Sequence, residues 1–285
     1  MPSAQLLIAA CATERGARPH PLFSPPAVSI ARSALQGPGA GDYLMVTVSK
    51  TFDPDRIPST RQRLVEIAWM WSRIWRGFGH LGARGPADGP PALVIPGFVA
   101  SDRSTMELRR ALAEAGFRVH PWRLGWNLGV TTDIIERLDR SLAQVDDDRP
   151  VLLIGWSLGG VFARELARAR PEKVRAVATL GAPFSGDPRL NNVWRMYELV
   201  AGHKADETPL PRVTGKPPVP TLAIWSRRDG IVAARSARGL ADESDKAVEV
   251  GSSHMGFGVS RRGTRAAVRE IVRFLEEIEG PESRD

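Results

Sequence analysis

Residues 151–160 read Val-Leu-Leu-Ile-Gly-Trp-Ser-Leu-Gly-Gly. The apolar run Val151 to Ile154 has the length and content of a buried strand, and Val161 to Arg168 continues with apolar residues at helical spacing. One strand therefore passes straight into one helix, with Ser157 on the turn between them. Gly155 and Gly159, two residues to either side of the serine, let that turn close without Cβ clashes. A serine presented in this way is a candidate nucleophile, provided that a base and N–H donors stand near it. Its bland alternative role is to cap the helix that begins at Leu158.

Outward from this turn, strand-like and helix-like segments alternate: 92–95, 103–115, 118–121, 132–145, 151–154, 158–169, 174–180, 220–225, 232–240, 247–250 and 262–278. Such alternation predicts a mostly parallel sheet flanked by helices. Ligands of open parallel sheets bind beyond the C-terminal ends of the strands, where Gly97, Ser157, Ala182, Asp229 and His254 would fall.

The strand, serine turn and helix, followed in chain order by Asp229 and His254, resemble the α/β-hydrolase family of serine esterases and lipases. The resemblance covers roughly residues 90–280. It implies that fold, with a small cap inserted at about 184–218, and a triad of Ser157, Asp229 and His254. Asp229 lies just past the strand-like Leu222 to Trp225, where the family places its carboxylate; by itself Asp229-Gly230 reads equally as a solvated turn. His254 sits in the Gly/Ser-rich stretch 251–258, expected to be a flexible loop before the terminal helix. In this family two backbone N–H groups stabilise the oxyanion, and the matching positions are Phe98, after the strand ending Ile95-Pro96-Gly97, and Leu158. Many members carry His before that glycine, where this chain has Pro96. Trp156, Pro183, Phe184, Trp194 and Met255 are expected to line the substrate pocket, although the apolar residues of the cap would serve as well to bury it on the domain. The activity implied is hydrolysis of carboxylic esters, small or lipid-like. Acyltransferase, thioesterase or amidase chemistry on the same triad, or a non-catalytic receptor using the same pocket, are the alternatives.

The 285 residues, 42% hydrophobic and 25% charged, suffice for one large α/β domain. The formal charge of +7 comes from arginine, since all but five of the 39 basic residues are Arg; residues such as Arg109, Arg110, Arg164 and Arg168 are expected on solvated helix faces. No interleaving of basic and aromatic residues suggests a nucleic-acid partner. One cysteine, Cys11, excludes an internal disulfide and a cysteine-based zinc site. No His/Asp/Glu spacing suggests a metal and no Gly-rich loop a phosphate, so no cofactor is expected.

Residues 1–60, rich in proline, are expected to be an extended or disordered lead-in, and 1–44 to reflect an over-long start. Residues 61–78 predict an amphipathic helix with Leu64, Ile67, Ala68, Trp71, Ile74, Trp75 and Phe78 on its buried seam. It either packs on the domain or makes a peripheral membrane contact. Cytoplasmic location is the expectation; lipoprotein export is not, because no basic residue precedes the short apolar stretch before Cys11. The oligomeric state is left open.

Overall fold

A computed structural model describes residues 53–54, 56–66, 84–145, 148–189, 191–210 and 213–280. The proline-rich lead-in expected over 1–60 lies almost wholly outside the described residues. So does the part of the expected 61–78 helix that carries Trp71 and Trp75.

Six parallel strands form one sheet in the order β2-β1-β3-β4-β5-β6, with β1 Pro91–Ile95, β2 Arg118–Pro121, β3 Val151–Trp156, β4 Val174–Leu180, β5 Thr221–Trp225 and β6 Lys246–Glu249. Every residue of β1, β3 and β5 is buried, as expected of strands covered on both faces. The edge strands differ: β2 carries Pro121 and is mostly half-buried, and β6 alternates half-buried with exposed residues. Helices fill both faces. The side chains that point one way, Ala92, Val94, Leu152 and Ile154, meet α2 (Met106–Glu114), α7 (His254–Val259) and α8 (Arg261–Glu279) through Leu108, Leu112, Phe257, Ile271 and Phe274. Those that point the other way, Leu93, Ile95, Val151 and Leu153, meet α3 (Ile134–Ala143) and α4 (Leu158–Ala169) through Leu138, Leu142, Phe162 and Leu166. The alternation is the two-residue period of a strand, and it sorts one apolar run into two cores.

The chain leaves β1 toward β2 and returns to β3 on the other side of β1. Loops after β1 and β3 therefore diverge, and a crevice opens at their C-terminal ends. Three further helices border that end of the sheet: α1 over residues 60–66, α5 (Trp194–Ala201) and α6 (Ala234–Arg238). Of α1, the expected seam residue Leu64 is exposed, as is Val65, and the inward positions are instead the half-buried Gln62 and the buried Glu66 at i and i+4.

Two arginines expected on solvated faces are interior. Arg109 donates to the Asp102 carbonyl at 3.0 Å, and Arg164 donates to the carbonyls of Gly215 at 2.9 Å and Glu243 at 2.7 Å. Burial, with Arg168 nearby, pulls the Arg164 pKa down to about 10, so the group stays charged at neutral pH while its guanidinium lies 4.2 Å over the Phe184 ring. Its long side chain reaches the Glu243 carbonyl and shares the Gly215 carbonyl with Arg168, which donates to it at 2.5 Å.

Helix α4 lies directly on the strand ends. A methyl group on Gly159 would stand 2.3 Å from the Ile95 carbonyl oxygen, and one on Gly155 would stand 2.3 Å from the Gly159 carbonyl oxygen. Gly159→Ala is therefore expected to lower stability by roughly 1–3 kcal/mol, as overpacking does elsewhere; urea unfolding of variant against parent measures it, and an unchanged midpoint would contradict this packing.

Candidate active site

Ser157 occupies the turn between β3 and α4 at φ 54° and ψ −125°, a left-handed value rare for a residue with a side chain. The strain is held from both sides: the Ser157 N–H donates to the Leu180 carbonyl at 2.9 Å, and its carbonyl accepts from the Gly160 N–H at 2.9 Å. The side chain does not cap the helix, so the bland reading of this serine fails. Among the described residues Ser157 Oγ makes no hydrogen bond.

Asp229 and His254 meet. The His254 Nδ1 to Asp229 Oδ2 distance is 2.7 Å, with both side chains almost fully buried. The other carboxylate oxygen, Oδ1, accepts the N–H groups of Ile231 and Val232, each at 2.8 Å, so Asp229 closes its own turn as it orients the ring. Burial alone would pull the imidazole pKa down. The charge and hydrogen bond of Asp229, with the charge of Glu66, outweigh it and hold the His254 pKa above the ordinary value. With Nδ1 engaged by the carboxylate, Nε2 is the nitrogen left for another partner. The other acids near this end of the chain turn elsewhere: Glu243 accepts from the Leu240 N–H and Asp245 from the Thr221 N–H.

His254 is not in a flexible loop, as its Gly/Ser-rich surroundings had suggested. It opens the short helix α7, where Ser253 Oγ accepts from the Gly256 N–H and Ser260 in turn caps α8. Ser253 and Ser260 are helix caps, and small residues are needed because Gly258 and Gly263 sit against Trp156 and the Gly256 carbonyl.

Phe98 lies on the loop after β1 and Leu158 follows the turn after β3 as the first residue of α4, and among the described residues no hydrogen bond takes up either backbone N–H. Sequence reasoning missed what shapes the first of these loops. Asn127, buried, donates through Nδ2 to the Pro96 carbonyl at 2.8 Å, while its backbone carbonyl accepts from Val99 N–H at 2.7 Å and its N–H donates to Ala100 at 2.8 Å. No motif announces such a residue; an Asn in a Gly-containing loop looks like turn chemistry.

A cleft of about 730 Å³, counted to its open mouth, begins at Ser157 and is lined by Phe98, Val130, Val161, Trp194, Tyr197 and Leu210 among others, Pro183 included. Helix α5 forms one wall, with the Tyr197 ring 5.2 Å from that of Phe98. Three residues expected in the pocket lie elsewhere. Trp156 is beneath the site, donating Nε1–H to the His254 carbonyl at 3.1 Å. Phe184 packs under the Arg164 guanidinium and against Gly239, and Met255 is part of the buried core. All three are adjacent in sequence to site residues, yet consecutive side chains here point to different sides. Among the described residues no group of three His, Cys, Asp or Glu side chains is placed to hold a metal ion, and no helix is long and apolar enough to cross a membrane.

Residues 121–205, from β2 through α5, match the family model for the alpha/beta hydrolase fold. The chain has the α/β-hydrolase fold. A solved structure from Mycobacterium tuberculosis, assigned by name as the non-heme bromoperoxidase BpoC, superposes with a TM-score of 0.51 at 15% identity, covering 68% of this chain and 95% of that one. The naproxen esterase of Bacillus subtilis aligns over 67% of this chain and 85% of its own, at 16% identity and a TM-score of 0.45. A curated relative, the pimeloyl-[acyl-carrier protein] methyl ester esterase of Nitrosospira multiformis, is 29% identical over 126 residues, 39% of this chain and 46% of that protein. The chain thus spans less than half the length of that relative.

The electrostatic arrangement has a direct check. In an NMR titration of the ring nitrogens, His254 is expected to titrate above about 6.5, the midpoint of a free imidazole; a midpoint below that value would mean that burial outweighs the carboxylates.

Proposed function

We propose that this α/β hydrolase cleaves carboxylic esters through an acyl-enzyme on Ser157, with His254 as base and Asp229 as its orienting acid. The observation that carries the reading is the buried 2.7 Å pair of Asp229 and His254 at the same end of the sheet as the strained serine turn. Similarity to an esterase over part of the chain agrees with it.

In this mechanism Ser157 Oγ adds to the ester carbonyl carbon while its proton passes to His254 Nε2. The carbonyl oxygen takes up negative charge between the N–H groups of Phe98 and Leu158. Collapse of the tetrahedral intermediate breaks the bond to the alkoxy oxygen, which leaves with the proton from Nε2. Water, deprotonated by the same nitrogen, then adds to the acyl-enzyme, and Ser157 is released with its proton restored. Asp229 keeps Nδ1 protonated and steadies the imidazolium, while staying ionised throughout. The apolar lining of the cleft favours esters whose acyl or alcohol part is hydrophobic.

Hydrolysis of a p-nitrophenyl ester series from acetate to decanoate, together with labelling by a fluorophosphonate, tests the reading. Ser157→Ala is expected to lose the label and about a thousandfold or more in kcat. An unmodified chain that neither turns over any of these esters nor carries the label on Ser157 would overturn it. Because a protonated imidazole cannot accept the serine proton, kcat/KM is expected to rise with pH through a midpoint above about 6.5, where His254 loses its proton. A profile flat from pH 5 to 8 would exclude His254 as the base.

A further inference from the structure

Glu66 lies on α1, outside the stretch from 90 to 280 that carries the sheet, and it is only 3% exposed. Its carboxylate accepts three backbone N–H groups. Oε1 accepts from His254 at 2.6 Å and from Gly230 at 3.0 Å, and Oε2 accepts from Met255 at 2.8 Å. Gly230 follows Asp229 in the turn after β5; His254 and Met255 open α7. One side chain therefore spans the two segments that carry the acid and the imidazole.

The rest of α1 is fitted to the same turn. Gln62 Nε2 donates to the Arg227 carbonyl at 2.8 Å, and Asn192 Nδ2 donates to the carbonyls of both Pro58 and Gly230, at 3.1 and 2.8 Å. A methyl group on Gly230 would stand 2.5 Å from the Gln62 carbonyl oxygen, so helix and turn touch backbone to backbone.

We propose, on the basis of the hydrolase reading above, that Glu66 is a positioning residue: its carboxylate staples the Asp229 turn to the start of α7 and so keeps the His254 imidazole in register with Ser157. A neutral side chain cannot replace it. Glutamine keeps one acceptor oxygen but turns an NH₂ group toward an N–H that needs an acceptor, and a buried donor left without a partner is costly. Asp229 and Glu66 are the two charged groups acting on the imidazole, so loss of the second charge also weakens the preference for imidazolium.

The full-length chain and its Glu66→Gln and Glu66→Asp variants are compared by thermal unfolding, by kcat and KM on p-nitrophenyl butyrate, and by NMR titration of His254. Glu66→Gln is expected to fold, to lose about tenfold or more in kcat through misplacement of the base, and to keep KM within about twofold. Its His254 midpoint is expected to fall below that of the parent, and the acid limb of kcat/KM with it. Glu66→Asp, which keeps the charge on a shorter stem, is expected to hold the midpoint high and to recover part of the rate. A folded Glu66→Gln variant whose kcat and His254 titration both match the parent would overturn the proposal. If Glu66→Gln fails to fold, Glu66→Asp decides: reduced kcat with a high midpoint supports the staple, and parental kcat refutes it. Should the parent chain prove to have neither turnover nor label, the hydrolase reading falls, and the titration alone still reports whether Glu66 holds and charges the imidazole.

Discussion

The backbone of α4 rests against the ends of β1 and β3 with no room for one carbon atom between them. That contact is what forces Ser157 into a left-handed turn, because a helix so close to its strand leaves only a sharp reversal to join them. The two donors of the proposed oxyanion site follow from the same geometry: Leu158 opens the helix, and the Phe98 loop is drawn across the top of β1, where Asn127 fixes its carbonyls. Even the cleft depends on it, since its floor is Ser157 and its wall is the cap helix α5, seated on Phe98 through Tyr197.

Around this contact the interior holds more charge than an apolar core usually does, and each charge has partners that justify it. Asp229 is neutralised in effect by two N–H groups and an imidazole; Arg164 is spread over two carbonyls and an aromatic face; Glu66 takes three N–H groups from two segments. Removing one partner from such a set leaves a desolvated group behind, which costs far more than the interaction contributes net. The buried network therefore holds the loops at the C-terminal end of the sheet in one arrangement, where apolar packing by itself would leave several open.

Strands β1, β3, β4 and β5 were readable because buried parallel strands are short apolar runs, and the turn at Ser157 because glycines mark where two backbones must touch. Asp229 and His254 stood out through the resemblance to the family, which places an acid and a histidine after late strands. The same reading put Phe184 and Met255 in the pocket, for sequence adjacency does not say which side of a turn a side chain takes. It put Arg164 in solvent, since in a chain so rich in arginine nothing distinguishes the one that is buried.

Linear order, then, determined the alternating α/β plan and the serine turn, which rest on local spacing and on the sterics of glycine, while the acid and histidine of the proposed triad were named through the family resemblance. Folding in three dimensions decided that α1 turns inward the half-buried Gln62 and the buried Glu66 and not Leu64, that Asn127 shapes the Phe98 loop, and that Trp156 supports the histidine from below. These depend on backbone groups brought together across as many as 189 positions. A glutamate's preference for solvent is overturned only by donors that the local chain around it does not contain.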